Sequence, residues 1–237
     1  MDRDCFIEIA KSANTEYDYL QIVRKYILHG IPSVFDGREN DYFDFRANIA
    51  QNFNISFHEV FIVGSAKLGF SYHKDSLFSL NSDIDVVLVN EHLFEQFYSK
   101  ICNYQYEMEK GLVNPDTIQR KQYSKFLKYM IKGWMRPDKL PVSIQNETIK
   151  EDWFSYFRSI SNGKSSVGNY PVAGGLFKNY SYLHLEYSTG YFICQEKNEN
   201  YLHLFSKKFV RRMRTVGGRF VIAWQCRQPE HPPRPAW

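Results

Sequence analysis

Asp83 and Asp85 are the two residues whose spacing most clearly permits metal chemistry. They stand in the segment SDIDVVLVN, where the apolar run that follows them predicts a strand. Because side chains alternate across a strand, the two carboxylates are expected to project from the same face. Paired carboxylates supply the hard oxygen ligands that Mg²⁺ prefers, and with a third carboxylate they can hold two ions for in-line displacement at phosphorus.

Gly64 and Ser65 are the second pair with a chemical meaning. They follow the apolar run Val60–Val63, which predicts a strand buried on both faces. A glycine directly after such a strand lets phosphate approach the backbone, and the amides of the helix predicted to follow can donate to phosphate oxygens. Lys67 comes two residues later, and it is either a phosphate-binding point charge or a solvated lysine of the first helical turn.

The order of these features resembles the DNA polymerase β-like nucleotidyltransferase superfamily, and it is also similar to bacterial proteins that carry this domain. The matching residues are Val63-Gly64-Ser65 and Asp83-Ile84-Asp85-Val86, within about Phe61–Val89. The resemblance implies an α+β fold with a small mixed sheet surrounded by helices. It also implies Mg²⁺ or Mn²⁺ and a nucleoside triphosphate (NTP), whose nucleoside monophosphate moves to an acceptor hydroxyl. The acceptor would be RNA, a protein or a small molecule, and a role as a toxin or defence factor is one option.

The chain departs from that pattern in two places. The 17 residues between Ser65 and Asp83 exceed the usual gap, so HKDSLFSLN is expected to bulge out as an insertion. The third metal-binding carboxylate of the family has no unambiguous match. Glu186 is the candidate, because the alternation in YSYLHLEYS suits a returning strand, although it equally fits a half-exposed strand glutamate without a catalytic role.

The flanking elements divide the chain into four expected segments. N-terminal helices occupy 1–56, the nucleotidyltransferase core with its two motifs 57–110, a helical region with a returning strand 111–206, and a basic, partly disordered tail 207–237. The helix predicted near residue 120 carries four lysines at spacings of four, three and four. This stripe is either a solvated face or a guide for RNA or triphosphate: Lys121, Lys125, Lys128 and Lys132.

Composition limits the class of protein. Hydrophobic residues make up 43% of the 237 residues and aromatic residues 17%, which excludes a mostly disordered chain. No apolar stretch approaches a membrane span and the first residues do not resemble a signal peptide, so a cytoplasmic location is expected, with no membrane partner. The cysteines form no C-x-x-C pair, so neither a zinc site nor a disulfide framework is indicated: Cys5, Cys102, Cys194 and Cys226.

The charge is distributed unevenly. Residues 207–237 contain eight Lys or Arg and one acid, Glu230, whereas residues 1–206 carry a net charge of −3. A basic tail can supply local, salt-sensitive binding to nucleic acid. Two alternatives to an enzyme therefore stay open: a non-catalytic nucleotide-binding sensor that uses the same pocket, and a basic-tailed RNA-binding protein whose acidic pair is structural.

Overall fold

The fold is α+β, as expected, and combines a four-stranded mixed sheet with helices. The computed structural model describes residues 2–71, 76–135 and 148–198, without the side chains of 148–151 and 190–198. Met1–Gln195 forms one compact unit. The strands are β1 (Val60–Val63), β2 (Phe70–Ser71), β3 (Ser76–Leu77), β4 (Ile84–Val89), β5 (Trp134–Met135) and β6 (Val172–Phe177). The helices are α1 (Arg3–Ser12), α2 (Glu16–Ile22), α3 (Glu39–Phe53), α4 (Gly64–Leu68), α5 (Glu91–Glu109), α6 (Thr117–Ile131), α7 (Thr148–Ser159) and α8 (Tyr180–Asn198).

The main sheet has the strand order β1-β4-β6-β5. β4 pairs antiparallel with β1 and parallel with β6, and the short β5 pairs antiparallel with the end of β6. The register places Asp85 opposite Val63 on one side and beside Ala173 on the other. β2 and β3 form a separate antiparallel pair between Ser65 and Asp83, and β3 lies within the expected insertion HKDSLFSLN.

Helices cover both faces of the sheet, which explains why its strands are apolar on both faces. On one face, Ile84, Val86 and Leu88 join a core that includes side chains from α3, α5, α6 and α7. On the other face, Val87 and Val89 join a core that includes side chains from α1, α2 and α8 and from the π-helical turn Val23–Leu28 after α2. Asp85 belongs to this second face by alternation.

Several local predictions are confirmed. Val60–Val63 is a strand with the predicted bounds, and the strand predicted at SDIDVVLVN is β4. Asn54 ends α3 in a left-handed conformation with φ 50°, which asparagine tolerates better than most residues. The sequence pattern also predicts helices before Gly30, after Glu91 with a break near 111–115, and after Glu151. All of these are present, and the break separates α5 from α6.

Two predictions near the C-terminal end of the described chain are wrong. The turn-rich composition of SNGKSSVGNYPVAGG predicts a loop, which is confirmed for 161–171 but wrong for its last four residues. These residues begin β6, whose Gly174 and Gly175 leave room for rings on the sheet's two faces. The segment with Glu186 was expected to be a strand and is part of α8. The basic tail 207–237 lies outside the described residues. Among the helices of the described chain, none is long and apolar enough to cross a membrane.

Candidate active site

Gly64 and Asp85 lie next to each other where β1 ends. The pairing of Val63 with Asp85 brings the residue after β1 over the carboxylate. Gly64 has φ +65°, a conformation that L-residues other than glycine rarely adopt, and a Cβ there would stand 2.9 Å from Oδ2 of Asp85. The backbone angle therefore favours glycine at this position, and a side chain there would displace the carboxylate of Asp85.

A cavity of about 440 Å³ contains this pair. This volume lies within the range of small-molecule sites. Gly64, Asp85 and Tyr187 line it from the face of the sheet that carries Asp85, and Arg158 lines it from α7. β5 pairs only with the last two residues of β6, so within the described chain residues 172–175 of β6 have no strand on the side away from β4, and they form part of the cavity wall.

Ser65 and Asp83 are close to the cavity in sequence but do not belong to its described lining. Ser65 is the second residue of α4, and its carbonyl accepts a hydrogen bond from the amide of Gly69. Asp83 is exposed and comes one residue before β4. The structure thus brings one member of each predicted pair into the cavity, with the second member adjacent along the chain.

Lys67 is not among the described residues that line this cavity. Its ammonium donates to the carbonyl oxygen of His29 at 2.6 Å and to that of Gly30 at 2.8 Å, and the residue is 7% exposed. Burial, followed by the charge of Arg46, lowers the pKa of Lys67 to about 8. These contacts join α4 to the end of the N-terminal helices, so they favour a structural role over the expected phosphate contact.

Glu186 lies on α8 rather than on a strand, which corrects the expected placement. Its Oε2 forms an ion pair with Nζ of Lys132 at 3.3 Å. The next residue, Tyr187, lines the cavity. Burial, then the negative charges of Asp85 and Glu186, raises the pKa of Tyr187 well above its usual range, so its phenol stays protonated at neutral pH.

β6, the parallel neighbour of β4, has no carboxylate next to Asp85. The residue in register there is Ala173, followed by Gly174 and Gly175. In the described ranges no group of three or more His, Cys, Asp or Glu is arranged to hold a metal ion. Asp83 and Asp85 still suit Mg²⁺, because this ion is commonly held by one or two carboxylates together with the phosphates of a substrate.

Sequence reasoning missed Arg158 and Tyr187 as cavity residues. The helix around DWFSYFRSI was predicted correctly, but its position depends on β6, which was interpreted as a loop. Tyr187 was assigned to a strand together with Glu186. The glycine pair in VAGGLF, flanked by apolar residues, is the signal that could have indicated a strand packed closely against aromatic rings.

Comparison of the chain with protein families, with curated proteins and with solved structures finds no match. The functional argument therefore depends on the residues and geometry of this chain.

Proposed function

We propose that this chain binds an NTP together with Mg²⁺ or Mn²⁺ and transfers its nucleoside monophosphate to an acceptor hydroxyl. The observation that carries the proposal is the contact between Gly64 and Asp85 in one cavity of about 440 Å³. A strand-end glycine and a metal-binding carboxylate at this distance suit a phosphate group and its counterion. The order of the glycine and aspartate motifs along the sequence supports the same function.

Each residue has a specific part in this reaction. The backbone at Gly64 and Ser65 contacts phosphate oxygens, and the carboxylates of Asp83 and Asp85 hold the metal ion. When bound, the ion supplies positive charge beside the leaving pyrophosphate. The acceptor oxygen bonds to the α-phosphorus, the bond from that phosphorus to the bridging oxygen breaks, and water takes up the hydroxyl proton. Catalysis then comes mainly from positioning and electrostatics.

The acceptor is an RNA end, a protein side chain or a small molecule in this proposal. Three of the four stripe lysines have no hydrogen-bond or ion-pair partner within the described ranges, so they are available to attract an anionic acceptor: Lys121, Lys125 and Lys128. In this proposal the activity is cytoplasmic, where NTPs and Mg²⁺ are available, and it would fit a toxin or defence factor.

A nucleotide sensor without transferase activity is the second candidate, and one observation favours it. Ala173 occupies the position beside Asp85, and Glu186 pairs with Lys132 on another element. Two carboxylates suffice to bind a metal–nucleotide complex, whereas two-metal displacement needs more ligands. The sensor would bind nucleotide at the same cavity and leave it intact.

Labelled nucleotide distinguishes the two candidates. The full chain is incubated with each α-³²P-NTP, Mg²⁺ and cell lysate, and label transfer is compared with NTP binding by calorimetry. Transfer that falls at least 100-fold in Asp83→Asn and Asp85→Asn supports the enzyme. The matched control is Asp44→Asn, which removes an exposed carboxylate on α3 and is expected to change nothing.

The remaining outcomes also decide between the candidates. NTP binding that requires Asp85, with no label transfer, supports the sensor. Glu186→Gln is expected to leave both measurements unchanged, since its carboxylate is engaged by Lys132. Absence of both binding and transfer in the unmodified chain would refute both candidates.

A further inference from the structure

The cavity that contains Asp85 also contains a cation. Among its described lining residues, Asp85 is the single acid and Arg158 the single base. We infer that Arg158 binds the phosphate groups of the nucleotide in this cavity. The inference depends on the proposed function, and it adds the residue that selects a phosphorylated ligand over an unphosphorylated nucleoside.

Packing between α7 and β6 fixes the position of Arg158. Trp153 and Phe157 on α7 are buried, and Phe157 immediately precedes the arginine. A Cβ added at Gly174 would lie 2.2 Å from the ring of Phe157 and 2.9 Å from that of Trp153, so the helix approaches the strand as closely as a glycine permits. The start of the Arg158 side chain is therefore held at the cavity by a rigid contact.

The guanidinium of Arg158 has donors available for a ligand. Its side chain is exposed, and Nη2 donates to Oγ of Ser155 at 3.3 Å. No carboxylate forms an ion pair with it within the described ranges, unlike Lys132 and Lys178, which are both paired. A guanidinium carries five N–H donors, so most of them have no hydrogen-bond partner in the part of the chain that the structure describes.

A cation at this site would offset the negative charge of a bound nucleotide. An NTP in complex with one Mg²⁺ retains a negative charge, and Asp85 adds another in the same cavity. Lys67, the cation expected from the sequence, donates to two backbone carbonyls instead. Arg158 offers the planar fork that binds phosphate through two parallel hydrogen bonds.

Calorimetric titration with the four Mg-NTPs, and with adenosine as the probe without phosphate, tests the inference on the full chain. Arg158→Gln is expected to weaken binding of the preferred NTP by about tenfold to hundredfold, because it removes a charge-assisted pair. Arg158→Lys is expected to recover part of that loss, since lysine keeps the charge but cannot form two parallel hydrogen bonds to one phosphate. The affinity for adenosine is expected to be equal in all variants.

Lys164→Gln is the matched control, because it removes an exposed positive charge close to α7 that does not line the cavity. Unchanged NTP affinity in Arg158→Gln, while Asp85→Asn abolishes binding, would overturn the role of Arg158 and leave the proposed function intact. Equal losses in Arg158→Gln and Lys164→Gln would also overturn it, since the effect would then be one of net charge. Failure of the unmodified chain to bind any Mg-NTP would reject the proposed function itself, and the inference with it.

Discussion

Gly64 and Asp85 approach so closely that a single added carbon on the glycine would lie 2.9 Å from the carboxylate oxygen Oδ2. Two paired strands produce this contact, since β1 ends opposite Asp85 and the chain turns at once with φ +65°. The cavity thus depends on the absence of a side chain at one position.

Replacing this glycine is the first test. Gly64→Ala is expected to destabilise the fold by about 2–4 kcal/mol, of which about 1–2 kcal/mol comes from the positive φ and the rest from the clash. Urea unfolding measures the change. Gly37→Ala is the matched control, because Gly37 has φ +69° and nothing within 4 Å of its added Cβ. Equal losses for the two variants would show that the contact with Asp85 costs nothing.

The second prediction concerns Ala173, which stands beside Asp85 where a further carboxylate could bind metal. Ala173 is exposed and in register beside Asp85 on the parallel strand β6. Ala173→Asp is expected to raise Mn²⁺ affinity about tenfold or more, because ligand charge and number set the affinity of such sites. Electron paramagnetic resonance of free Mn²⁺ measures the change. Ala173→Asn, which has nearly the same shape without the charge, should not raise the affinity, and equal gains in both variants would contradict a metal site at Asp85.

Local sequence patterns predict one part of the site and fail for another. The Gly64 and Asp85 neighbourhood could be predicted because a continuous apolar run and an Asp-apolar-Asp run each identify a strand without tertiary information. The position of Glu186 could not, since Tyr182, His184 and Glu186 alternate with apolar residues in a segment that packs as a helix. Alternation over so few residues fits either structure, and packing decides between them.

Burial of charge is equally invisible in the sequence. Lys67 occupies a position typical of a solvated lysine, yet the end of the N-terminal helices folds over it and supplies two carbonyl acceptors. β6 was missed for a related reason. Glycine has a low strand propensity, and the rings of Phe157 and Trp153 that pack against Gly174 come from a distant part of the sequence.

The titration of Lys67 gives the third prediction. Its pKa is about 8 in the folded chain, against about 10.4 for an unfolded lysine. Between these values the unfolded state binds more protons, so the free energy of unfolding is expected to rise with pH. The gain between pH 7.5 and 9.5 is about 2 kcal/mol, and the neutral amine can still donate to both carbonyls.

Urea unfolding at both pH values measures this effect as the difference between the unmodified chain and Lys67→Met, since methionine does not titrate. The reference is Lys164→Met, which removes an exposed lysine and should follow the unmodified chain at both pH values. A pH-independent difference between the unmodified chain and Lys67→Met would show that the buried ammonium retains an ordinary pKa.

The packing of α7 on β6 gives the fourth prediction. Gly174→Ala places a Cβ 2.2 Å from the ring of Phe157, so helix and strand must separate. Overpacking of this kind costs about 1–3 kcal/mol. Because Arg158 follows Phe157 directly, the same shift is expected to weaken Mg-NTP binding several-fold, although the atoms nearest to the added Cβ belong to the rings of Phe157 and Trp153. Thermal unfolding and calorimetric titration measure the two effects.

A compensating substitution separates this mechanism from a general loss of stability. Phe157→Leu removes the ring atoms that the new Cβ would meet, so Gly174→Ala should cost less in that background than in the unmodified chain. The double variant should also bind Mg-NTP more tightly than Gly174→Ala alone. If the two substitutions are additive in stability, the contact between Gly174 and Phe157 does not set the spacing of α7 and β6. If stability is recovered without affinity, α7 packing does not position Arg158.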